Sequence, residues 1–121
     1  MDTLPTVTKK IDRAAILAWA SLTDDYNPLH VDEEFAAKTP FGRPIAHGML
    51  SLSLAWQALR QGLGTTAPVT LEVRFVRPVP QDMVVSASGA KRAEGGWDVW
   101  VRDENGQDVI RGIAWPGEPA A

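Results

Sequence analysis

Residues 46–63 read AHGMLSLSLAWQALRQGL. Met49, Leu50, Leu52, Leu54, Ala55, Trp56, Ala58, Leu59 and Leu63 fall nearly all the way round a helix, and polar Gln57, Arg60 and Gln61 enter only toward its end. A helix that is apolar on every side has to be enclosed. The segment, closed by Gly62 and Gly64, is therefore expected at the centre of the fold. What encloses it follows in the chain. Residues 69–75, VTLEVRF, alternate with period two, placing Val69, Leu71, Val73 and Phe75 on one face and Thr70, Glu72 and Arg74 on the other, the pattern of a half-buried strand. MVVSASGA, WDVWVR after the Glu94-Gly95-Gly96 turn, and VIRGIAW after Asn105-Gly106 read as further strands linked by hairpins. Helices first and hairpin-linked strands afterwards predict an α+β fold, with an antiparallel sheet curled around one buried helix.

Upstream, TVTKKI at 6–11 is a weak strand, and Asp12 is placed to cap a helix over RAAILAWASL, whose Ile16, Trp19 and Ala20 share a face. That helix runs into Asp24 and Asp25, at the negative end of its dipole, where acids are disfavoured. Broken local rules of this kind are expected at functional positions, which directs attention to Asp25. Asn27-Pro28 then turns the chain away. Asp32 is expected to cap a short helix, EEFAAK, which stops before Thr39-Pro40.

With 121 residues and 45% apolar composition the chain is expected to form a single domain over residues 1–116, with 117–121 as a disordered tail. It has no cysteine, which excludes a thiol nucleophile, a thiolate metal site and a disulfide scaffold. The N-terminal residues resemble no secretory signal, and no run approaches the roughly eighteen apolar residues of a membrane span, so a soluble, cytoplasmic protein is expected. Fifteen acidic against twelve basic side chains, with the basic ones scattered, argue against nucleic acid as a partner. A phosphate-bearing small molecule needs only a few well-placed cations and stays open. No nucleophile elbow, P-loop or dinucleotide fingerprint occurs.

The chain's only two histidines, His30 and His47, stand out. Asp25 and His30 flank a proline-fixed turn that can bring a carboxylate and an imidazole to one mouth, as general acid–base catalysis requires. From spacing alone the competing reading is as good: Asp25 as a turn former and His30 as a satisfied polar group. His47-Gly48 opens the long helix, where free N–H groups and the positive dipole end form an anion or oxyanion site. The alternative is that His47 merely caps and Gly48 merely permits close packing. Asp25, His30, Asp32 and His47 lack paired metal-ligand spacing, so no metal is expected. Trp19 and Trp56 read as core. Trp97 and Trp100 have opposite parity, so one of them faces away from the helix.

Taken together, DDYNPLHVDEEFA, FGRPIAHGML and VRFVRPVPQD resemble the MaoC-like dehydratase family, the (R)-specific enoyl-CoA hydratases of hot-dog fold, over about residues 12–90. The resemblance implies a curved antiparallel sheet of about five strands around the central helix, and dimers whose sheets join side by side. It puts the catalytic pair on Asp25 and His30 and the thioester carbonyl on the backbone N–H of Gly48. Asn27 and His47 then shape the site. It implies hydration of trans-2-enoyl thioesters to (R)-3-hydroxyacyl thioesters, or the reverse, without cofactor. The acyl group would arrive on coenzyme A or acyl carrier protein, with Arg43, Arg74, Arg77, Lys91 and Arg92 as candidate contacts for the carrier arm. Some short-chain members have serine where Trp56 stands, so Trp56 is expected to shape the acyl pocket. A hot-dog thioesterase, or the acyl-binding subunit of a heterodimeric dehydratase, are the alternative readings.

Overall fold

A computed structural model describes residues 1–64 and 67–117, so the tail expected at 117–121 lies, apart from Gly117, outside the described residues. The chain runs β1 (Val7–Lys10), α1 (Arg13–Thr23), α2 (Pro28–Val31), α3 (Glu33–Ala37), α4 (Gly48–Leu63), β2 (Val69–Phe75), β3 (Val84–Lys91), β4 (Trp97–Arg102) and β5 (Asp108–Pro116). The five strands form one antiparallel sheet in the order β1-β3-β4-β5-β2. Its concave side packs on α4. Among the described residues, no helix is long and apolar enough to cross a membrane.

The short helices are set by their caps. The Asp12 carboxylate accepts from Ala15 N–H at 2.9 Å and starts α1, whose buried stripe is Ile16 and Ala20. Asp24 ends α1 in the left-handed region, φ 54°, a conformation aspartate tolerates better than most residues. Asn27 accepts from Leu29 N–H at 3.0 Å, and Pro28 takes the first helical position of α2, where its missing N–H costs nothing. This single turn of helix was not expected from the sequence. Asp32 then caps α3 through Phe35 N–H at 3.0 Å, as expected.

Helix α4 departs from its expected enclosure. It buries Leu50, Ser51, Leu54, Ala55, Ala58 and Leu59, a stripe of adjacent pairs one turn apart. On the other side Met49 is 58% and Trp56 36% exposed. Trp56 is thus not core: its ring lies under the Arg60 guanidinium, 4.3 Å from the centroid. The sheet covers one face only, and the remaining apolar face is left open.

Sheet packing follows the alternation. Val85 and Ala87 from β3, Trp97, Val99 and Val101 from β4, and Ile110 and Ala114 from β5 point into the core with Ile11, Ile16, Leu54 and Leu59. Trp100 faces out, as parity requires, with the Arg102 guanidinium 4.0 Å from its ring centroid. Between Val101↔Ile110 and Arg102↔Asp108 the register shifts, leaving Val109 as an extra residue. This β-bulge turns consecutive Val109 and Ile110 both inward and bends the strand. Edge strand β2 is less covered: Val69, Leu71 and Val73 touch the core in part, and Phe75 is 55% exposed. Finally, Ala46 N–H donates to Val79 C=O at 2.8 Å and Ile45 bridges Pro80, tying the approach to α4 to the β2–β3 connection.

Candidate active site

The N-terminus of α4 meets the α1–α2 turn, and both histidines lie at the junction. His30 Nδ1 is 2.6 Å from the carbonyl oxygen of Ile45. A carbonyl only accepts, so this nitrogen carries the proton and Nε2 is left with its lone pair in the neutral ring. His47, buried, has Nε2 2.9 Å from the carbonyl oxygen of Asp25, so there Nε2–H donates and Nδ1 is left without a partner among the described residues. The two rings stack, with centroids 4.1 Å apart and planes at 26°. His47 thereby holds the Asp25 backbone from below and supports His30 from the side.

Asp25 is exposed, and one carboxylate oxygen accepts from Asn27 N–H at 3.3 Å. The donor atoms of Asp25, His30 and His47 all lie within 4.8 Å of one another. Two of the four ring nitrogens are bound to backbone carbonyls, which leaves one free nitrogen on each ring. A carboxylate and an imidazole this close can pass a proton between them. Asn27 caps α2 and so fixes the turn between the acid and the imidazole.

Gly48 is the first residue of α4, where amide N–H groups have no intrahelical acceptor. His47 occupies the N-cap position, but its side chain makes no capping bond. Gly48 borders a cavity of about 310 Å³ lined also by Ala46, Ser51, Phe75, Val76, Arg77, Pro78, Val79 and Ile110. A β-carbon at residue 48 would lie 3.1 Å from Phe75 Cε1, so glycine is what lets the ring close over the helix start. Asp25 and His30 do not line this cavity; they sit on the His47 side of the same helix end.

Of the five candidate cations, only Arg77 borders the cavity, with Nη1 donating to Asp108 C=O at 2.8 Å. Arg43 lines a separate depression with Glu33, Gln81 and Asp82. Arg74 lies on the outer sheet face opposite Arg111, Lys91 ends β3, and Arg92 is paired with Glu94 at 2.9 Å and Asp98 at 3.6 Å. Trp56 does not line the cavity either.

The MaoC-like domain family model matches residues 2–109. The chain belongs to this family. Among MaoC-like relatives, an (R)-specific enoyl-CoA hydratase of Aeromonas caviae is 49% identical over 57 residues, which are 47% of this chain and 42% of that protein. The 3-hydroxyacyl-thioester dehydratase Z of Mycobacterium tuberculosis is 36% identical over 87 residues, 66% of this chain and 57% of its own. The aligned stretches therefore span less than two thirds of these curated relatives. Among solved structures, the (R)-hydratase from A. caviae involved in PHA biosynthesis superposes with a TM-score of 0.80 at 30% identity, covering 94% of this chain and 95% of that one. The unliganded R-hydratase of Pseudomonas aeruginosa gives 0.81 at 26% identity, covering 100% and 88%. The sheet around α4 is the hot-dog arrangement of these MaoC-like structures.

Three site features escaped the sequence reading. The Ile45 carbonyl that sets the His30 tautomer is a backbone group and leaves no mark on residue type. The cavity wall from Phe75 to Val79 comes from the end of β2 and the loop after it, distant in sequence from Gly48. Ser51, which also lines the cavity, was legible in principle, because it lies three residues after Gly48 on the same helical face.

Proposed function

We propose that the protein catalyses (R)-specific hydration of trans-2-enoyl thioesters, or the reverse dehydration of (R)-3-hydroxyacyl thioesters. The observation that carries this reading is the convergence of Asp25 and His30 at the start of α4, with the His30 tautomer fixed by Ile45. The helix-end amide of Gly48 takes the thioester carbonyl and stabilises enolate character as C3 is attacked. A water held between Asp25 and His30 Nε2 adds its oxygen to C3. One proton of that water goes to the couple, and a proton is returned to C2 from the same side. The two groups act as a coupled pair, and the base and acid roles belong to the pair.

The carrier arm, coenzyme A or acyl carrier protein, leaves past Arg77, the only cation at the cavity among those considered. The names of the MaoC-like relatives support the substrate class. A dimer joined along the sheet edge completes the proposal, since β2 leaves Phe75 open and α4 leaves Met49 and Trp56 open.

Loss of enoyl-thioester absorbance on mixing with crotonyl-CoA is the direct test. Steady turnover is the expected result. No turnover over several acyl lengths on either carrier would overturn the assignment, and free thiol release in its place would mark a thioesterase.

A further inference from the structure

Ser51 is 2% exposed, and its Oγ has no hydrogen-bond partner among the described residues. That is unusual for a helical serine, whose hydroxyl ordinarily bonds back to a carbonyl of the preceding turn. Ser53, two residues on, does so, donating to Leu50 C=O at 2.6 Å. Leaving a buried hydroxyl unpaired costs stability, and native structures pair such groups almost always. Ser51 also lines the same cavity as Gly48. Residues three apart lie on one helical face, and side chains tilt back toward the helix N-terminus, so Ser51 Oγ leans toward the turn that presents the Gly48 amide. Apart from Arg77, the other side chains of the wall are apolar, Ala46, Phe75, Val79 and Ile110 among them.

From this we infer that Ser51 is a catalytic residue: its hydroxyl is the second donor to the thioester carbonyl oxygen, completing with Gly48 N–H a two-donor oxyanion hole. The inference rests on the reading that the thioester carbonyl sits at Gly48. The donor is held dry and unpaired before substrate arrives, so it is not drawn away from another bond as charge develops on the oxygen. Preorganisation of this kind lowers the barrier rather than tightening ground-state binding.

Ser51→Ala separates this role from a structural one, because removing an unpaired buried hydroxyl leaves the fold intact. Its melting temperature is expected at or above that of the wild type, while kcat with crotonyl-CoA falls by about 10²-fold and KM changes little. A second measurement needs no turnover. In the Asp25→Asn protein, bound 2,4-hexadienoyl-CoA should absorb at longer wavelength than in water, because a polarised carbonyl draws density along the diene, and adding Ser51→Ala should shrink that displacement at saturation. Wild-type kcat in Ser51→Ala, or an unchanged band position, overturns the inference while the hydratase reading stands. A kcat loss that only accompanies a lower melting temperature overturns it as well. A protein that hydrates nothing yet shows a Ser51-dependent band displacement keeps the Ser51 contact and loses the hydratase reading.

Discussion

His30 and His47 are divided by which ring nitrogen the backbone occupies. Ile45 takes Nδ1–H of His30 and leaves Nε2 for chemistry; Asp25 takes Nε2–H of His47 and leaves Nδ1 buried. On the proposed reading the first handles protons and the second positions it. Asp25→Asn and His30→Ala are each expected to lower kcat for crotonyl-CoA by about 10²–10⁴-fold. Asp25→Asn should melt close to the wild type, because Asp25 is exposed and the Asn27 bond is long, whereas His30→Ala gives up the Ile45 bond and the stacking on His47 and should stay folded with a lower melting temperature. His47→Ala behaves differently. It removes a buried ring, its stacking on His30 and its bond to the Asp25 backbone, so urea unfolding should show a loss of about 2–3 kcal/mol together with reduced kcat. If His47→Ala lost activity at full stability, His47 would belong to the chemistry instead. The sequence singled out both histidines, since they are the only two and both abut turns. Spacing alone could not divide them, because the deciding acceptors are main-chain carbonyls that every residue carries; only the family resemblance set His30 in the catalytic pair and His47 beside it.

Helix α4 and the strands show where pattern reading succeeds and where it stops. Strand β4 has the bounds that the Gly95-Gly96 and Asn105-Gly106 turns mark, because left-handed glycines punctuate the chain locally. Helix α2 was missed because four residues between two caps are too few for any period to register. The enclosure of α4 was misread for another reason. Apolar residues all round a helix require cover, but the pattern does not say whether the same chain supplies it. The start of α4 carries its own test. A methyl at residue 48 would crowd the Phe75 ring, which is half exposed and free to swing. Gly48→Ala should therefore fold with little loss, while the added methyl and the displaced ring fill the cavity and kcat/KM drops at least ~10-fold. Adding Phe75→Ala should recover part of that loss, and a double-mutant cycle reads the coupling. Gly112→Ala is the contrasting case, since its β-carbon would overlap the Glu72 carbonyl oxygen, a backbone atom that cannot swing aside. Thermal or urea unfolding should show destabilisation of about 3 kcal/mol.

The molecule as a whole leaves its two sheet edges in different states. Edge strand β1 is four residues long and carries exposed Lys9 and Lys10, features that discourage pairing with another chain. Edge strand β2 is seven residues long, its core-facing side is apolar, and its last residue, Phe75, lies against Gly48 at the candidate site. Its charges, Glu72 and Arg74, lie on the outer face, so the long edge offers its free backbone groups and its apolar side to another strand. On the proposed reading that strand is β2 of a second copy, which would also shelter Met49 and Trp56 and place a partner beside the cavity. Light scattering after size exclusion should then give the mass of two chains at micromolar concentration. Met49→Glu puts a charge on the open face of α4 without touching the buried stripe, so it should shift the mass to one chain while circular dichroism stays that of the folded protein. Wild-type protein that runs as a single chain, or a Met49→Glu variant still paired, would show that β2 is not joined in this way. Activity adds a second criterion: if the partner completes the cavity, kcat/KM of Met49→Glu should rise with protein concentration as pairing is restored by mass action. A concentration-independent value equal to that of the wild type would place the whole site within one chain.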